Sequence, residues 1–132
     1  MTIEDGVAIL FSLRRKGFAV RRSPEGKIQV SPPGRLTDDL KETIRRNKAV
    51  VLEALERETA PGAGKAERMA RELLINGKNP WAVATETEGD WAFVCCLRRD
   101  GSGWTVRIPK DKFDPFRLTE ALHRTDPGGV VH

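Results

Sequence analysis

The sequence predicts an α+β fold. An apolar helical stripe opens the chain, period-two alternation appears in two separate places, and a Gly/Pro-rich stretch lies between them. The expected order is an αββαα module over 1–58, a linker over 59–65, and a small α+β module over 66–132. The last is read as a helix, an antiparallel hairpin or three-stranded sheet, and a final helix.

Thr2 is placed to cap the first helix, with Asp5 at capping-box spacing. Ile3, Val7, Leu10 and Leu13 recur at helical intervals, and Phe11 widens the stripe. Gly17 stands where a helix commonly stops, after Arg14, Arg15 and Lys16, whose charge suits a helix C-terminus.

The next stretch, "GFAVRRSPEGKIQV", reads as a hairpin. Phe18, Val20, Ile28 and Val30 are expected to face the core, and Arg21, Lys27 and Gln29 to face out. "SPEG" has Pro at the second turn position and Gly at the fourth, as a type I turn prefers. "SPPG" ends the second strand, because Pro cannot supply ladder hydrogen bonds.

Thr37 caps the next helix, and Asp38 and Asp39 favour its positive first turn. Leu40 and Ile44 share a face, but the apolar phase changes at Asn47, and Val51, Leu52 and Leu55 follow. One bent helix or two short ones, the second capped by Asn47, would satisfy this pattern to about Arg57.

"TAPGAGK" is small, polar and rich in Gly and Pro, as a linker is. Ala66, Met69, Ala70, Leu73 and Leu74 then mark a helix closed by Gly77, and a strand is expected over 81–85. Trp91, Phe93, Cys95 and Leu97 alternate, as do Trp104, Val106 and Ile108 across "RRDGSG". These two sets are expected to form one inner face. Ala92, Val94 and Cys96 then make an apolar outer strip, which would pack on helix 66–76, on the first module or on a partner. Pro115 suits the first turn of a last helix through Leu118, Ala121 and Leu122, and "DPGGVVH" reads as a frayed tail.

The 132 residues are 39% hydrophobic and 32% charged, enough for a modest core. Net charge is +4, with 23 basic and 19 acidic residues, which permits phosphate binding without demanding it. No apolar segment reaches membrane-spanning length, and no signal peptide is read. A cytoplasmic chain without disulfides is expected.

Catalytic chemistry finds little support. His123 and His132 have no nucleophile or metal partner nearby in sequence. Adjacent Cys95 and Cys96 lack zinc-ligand spacing; Cys95 is expected in the core and Cys96 at the surface. "GAGK" lacks the second half of a phosphate loop, since Ala66 follows Lys65. Trp91 and Trp104 are read as core rather than as base-stacking platforms, and Trp81 is undetermined. No enzyme, cofactor or metal site is expected.

Residues 3–57 resemble the N-terminal docking domain of the TubC type, found in nonribosomal peptide synthetases. The resemblance rests on Gly17, Phe18, Val20, Ile28, Val30, Pro33, Gly34, Leu36, Thr37, Leu40, Ile44, Lys48, Leu52 and Leu55 in that order. It covers less than half the chain, and residues 66–132 carry no recognised pattern. The resemblance implies a docking role in which the hairpin binds a short tail of another protein, together with self-association. Carried over, the partner-binding positions are Ala19, Arg21, Arg22, Lys27 and Gln29. A two-stranded ribbon leaves an open edge for an extended peptide, and basic side chains select an acidic tail. Arg14, Arg15, Arg45, Arg46 and Lys48 form a secondary basic surface. The chain after 57 holds no His-His-x-x-x-Asp pattern of a condensation domain, so peptide synthesis is not implied.

The expected function is therefore non-catalytic docking, adaptor or regulatory binding of a protein or peptide, with a homodimer as a further option and no membrane role. The alternative is an accessory or inhibitor protein acting on nucleic acid, of the kind phages and mobile elements carry, using the same cations on phosphates.

Overall fold

The computed structural model describes residues 2–59, 64–125 and the backbone of 130–131. The architecture is α+β: five α-helices, a two-stranded hairpin and a larger sheet among these residues.

Helix α1 (Ile3–Arg15) starts where its capping box demands: the Thr2 amide donates to the Asp5 carboxylate at 3.1 Å. It ends where Gly17 turns with φ +94° and Phe18 N–H donates to the Leu13 carbonyl. The sequence stripe understates this helix. Ile3, Val7, Ala8, Ile9, Leu10, Phe11 and Leu13 are all buried, so α1 is covered nearly all round.

Strands β1 (Ala19–Arg22) and β2 (Ile28–Ser31) form the expected hairpin, with Val20 opposite Val30 and Arg21 opposite Gln29. Phe18 and Val20 are buried, while Ile28 and Val30 are only half-buried. A short 3-10 turn (Pro33–Arg35) leads to α2 (Asp38–Arg46), whose cap is the Thr37 hydroxyl, accepting from Leu40 N–H at 3.2 Å. Helix α3 (Lys48–Glu56) follows, so the phase change marks two helices. Asn47 holds the N-cap position of α3 but makes no side-chain cap bond there. Its side-chain amide donates back to the Thr43 carbonyl at 2.8 Å and closes α2 instead.

Beyond it come β3 (Glu58–Thr59), α4 (Lys65–Asn76), β4 (Trp81–Glu88), β5 (Trp91–Arg98), β6 (Gly103–Pro109), α5 (Pro115–Thr125) and β7 (Val130–Val131). The sheet order is β3-β6-β5-β4-β7, antiparallel except for the parallel β4–β7 pair. The expected hairpin and third strand are its centre, and two short strands extend it. Most of the expected linker, residues 60–63, lies outside the described residues, as do 126–129 and 132 of the expected tail. Within that tail, Val130 and Val131 pair with Ala82 and Val83.

The sheet faces differ from the sequence expectation. Val94 lies opposite Val106, and Ala92 opposite Ile108. So Val94 and Cys96 share a face with Trp104, Val106 and Ile108, and that face meets α1, α3 and α5. Phe93, Cys95 and Leu97 point to the other face, where Ala66, Ala70 and Leu74 of α4 cover Ala82, Ala84 and Cys95. Both faces of β5 are covered, so its apolar residues run on without a clear period. Cys96, expected at the surface, is fully buried. Trp91, expected in the core, is half-exposed and belongs to neither cluster.

One hydrophobic cluster joins the first 58 residues to the sheet. Leu10, Phe11, Val20 and Val51 share it with Trp81, Val94, Val106 and Leu122. Phe11 and Trp104 lie 6.4 Å apart between ring centroids. Glu58 and Thr59 pair with Val106 and Thr105. The two expected modules thus pack on each other. No helix among the described residues is long and apolar enough to cross a membrane.

Candidate functional site: a basic groove beside the hairpin

The hairpin stands on α1 and α3 and leaves a groove between β2 and α2. Four half-buried apolar residues line it: Ile28 and Val30 of β2, Leu36, and Ile44 of α2. Four cations line it with them: Lys27, Lys41, Arg45 and Lys48. Its volume is about 440 Å³. The local sequence explains the opening. Helix α2 buries no residue completely, because its apolar positions are only Leu40 and Ile44, and so it does not close down on β2.

Arg45 and Arg46 both pair with Glu42, the latter at 2.9 Å. Lys27, Lys41 and Lys48 make no ion pair among the described residues. Their charge therefore remains available to a ligand.

The two hairpin edges are not equivalent. Arg14 donates to the Val20 carbonyl at 2.7 Å, so the outer edge of β1 is partly satisfied from within. At the turn, Ser23 N–H donates to the Lys27 carbonyl at 2.7 Å. Hydrogen-bonded and non-bonded pairs alternate along an antiparallel ladder, which turns the peptide groups of Ile28 and Val30 away from β1. Among the described residues, no strand lies on that side. The open edge of β2 and the apolar lining of the groove therefore come from the same two residues.

The positions inferred from the resemblance divide. Ala19, Arg21, Arg22, Lys27 and Gln29 are all exposed. Arg21 donates to the Gln29 side chain at 3.0 Å, and Arg22 lies 3.5 Å from Glu56. Only Lys27 of these lines the groove, where it meets Arg45 and Lys48 of the secondary set.

Arg14 and Arg15 do not form surface. Arg14 pairs with Glu58 and lies over the Trp104 ring, 5.6 Å from its centroid. Arg15 is 8% exposed, its guanidinium 4.0 Å from the centre of the Trp81 ring. These arginines join α1 to the sheet.

Sequence reasoning missed Lys41 and the partial exposure of Ile28, Val30, Leu36 and Ile44. It assigned Ile28 and Val30 to the core, and they do pack against it, but only half-buried. The available signal was the sparse apolar face of α2.

His123 is exposed on the last turn of α5, and His132 lies outside the described residues. No group of three or more His, Cys, Asp or Glu side chains suited to a metal occurs among the described residues. Burial pushes the Cys95 thiol up to about 12, so this cysteine stays protonated and unreactive in the folded chain. Comparisons with protein-family models, curated proteins and solved structures find no match to the chain.

Proposed function

We propose that the protein is a non-catalytic docking or adaptor protein that captures an acidic, extended segment of a partner protein along β2. The carrying observation is that Ile28 and Val30 offer an open strand edge and apolar side chains beside the cations Lys27, Lys41 and Lys48. A peptide added as a third strand would gain backbone hydrogen bonds at the edge. Its alternate side chains would enter the groove, and its carboxylates would meet the lysines. The docking-domain resemblance of residues 3–57 supports the same reading. The apolar lining favours a peptide over a nucleic-acid backbone, which offers phosphate charge without apolar side chains.

The test is capture from native lysate, with and without nuclease, by the wild-type chain and by the double variant Lys27→Glu, Lys48→Glu. Both positions are exposed, so the variant is expected to fold. A specific protein held after nuclease and lost in the variant is the expected result. Equal capture by both chains would reject the reading. Material that vanishes with nuclease, with a log–log salt slope of about −0.9 per phosphate contact, would transfer the site to nucleic acid.

A further inference from the structure

A second concave site lies at the far end of the sheet from the β4–β5 turn, between α4 and the β5–β6 turn. Its volume is about 290 Å³. Leu74, Ile75 and Leu97 supply apolar wall, and Arg71, Arg98 and Arg99 supply cations. Arg71, Leu74 and Ile75 are spaced three and four residues apart and so share one face of α4. Ile75 is 73% exposed, an apolar side chain left in water at the rim.

The three guanidiniums differ in how they are held. Arg99 is fixed by neutral groups. Its Nε donates to the Asn79 carbonyl at 2.6 Å, its Nη2 to the Gly77 carbonyl, and its amide to the Pro80 carbonyl at 3.3 Å. Those bonds satisfy carbonyls just past the end of α4 without neutralising the charge. Arg71 makes no ion pair among the described residues. Arg98 lies 3.7 Å from Asp100. Asp100 itself is held by the amide and hydroxyl of Ser102 at 2.9 and 2.6 Å, which orders the turn.

We infer that this pocket binds a small organic anion, with a phosphate or carboxylate head held by Arg71, Arg98 and Arg99 and an apolar body against Leu74, Ile75 and Leu97. Guanidinium forks match both head groups. Asp100 offsets Arg98 alone, so the charges of Arg71 and Arg99 remain and an added anion is electrostatically favoured. The apolar walls discriminate for a ligand with a carbon body over a bare inorganic ion. The site is separate from the hairpin groove and does not rest on the docking reading.

Phenyl phosphate and benzoate are the probes, titrated into the isotopically labelled full chain and followed by amide NMR shifts. Saturable shifts at Ile75, Leu97, Arg98 and Gly101 with either probe are expected. Arg71→Glu should weaken binding by about tenfold or more, the size expected for a lost charge-assisted hydrogen bond. Lys112→Glu makes the same charge change at the other end of β6 and should alter binding less than about twofold. Inorganic phosphate should bind several-fold more weakly than phenyl phosphate, about the effect of burying one methylene equivalent. No saturable shift with either probe, equal losses in the two variants, or equal binding of inorganic phosphate would overturn the inference.

Discussion

Single residues decide how the halves of this chain join. Gly6 of α1 meets α3 so closely that an added Cβ would land on the Val50 carbonyl. Backbone cannot rotate aside as a side chain can. Gly6→Ala is therefore expected to cost about 2–3 kcal/mol, the scale of overpacking, read from the urea midpoint. Cys95 makes a second residue-scale prediction. Its folded thiol sits near 12 and its reference value is 9.0, the main cause being burial. Between those values the unfolded chain loses a proton that the folded chain keeps. Its contribution is thus fully present below pH 9 and is lost as pH rises toward 12, with a slope of up to about 1.4 kcal/mol per pH unit. Urea titrations across that range should show declining stability that Cys95→Ala reduces. A thiol reagent should label the native chain slowly at pH 9 and the unfolded chain at once.

Elements were legible in proportion to how one-sided they are. The α1 cap, the Gly17 stop, the hairpin with its turn and the Thr37 cap all follow from local chemistry, and the structure has them. Strand β5 was legible as a strand but not in its facing. Period two assigns faces only when one side is wet, and here α4 covers one side and α1 and α5 cover the other. The register across the β5–β6 turn, not the alternation, decides that Val94 meets Val106. The groove was hidden for a related reason. Apolar residues on β2 and α2 look like core until the sparse packing of α2 is known. The tryptophans test this assignment. Trp81→Ala should cost about 3–5 kcal/mol as a buried aromatic loss. Trp91 is half-exposed and chiefly stacked under Arg107, with 4.1 Å from the guanidinium to the ring centre. Its alanine variant should cost only about 1 kcal/mol.

At the scale of the whole molecule, the boundary suggested by Gly and Pro does not divide the core. Helix α1 also buries apolar residues on the side toward the sheet and α5. A fragment of residues 1–58 would expose Phe11 and Leu10 on that side and is expected to stay largely unfolded by circular dichroism. The full chain should unfold in one cooperative step. This unity bears on function. The hairpin packs into the same hydrophobic cluster as the sheet, so a captured segment would be held beside it. Amide hydrogen exchange at Ile28 and Val30, measured free and with the captured partner bound, tests strand addition most directly. Both amides face the open edge, so their exchange is expected to slow on binding while β4 and α5 remain unchanged. Unaltered exchange at Ile28 and Val30 in the complex, or protection confined to the sheet, would contradict it.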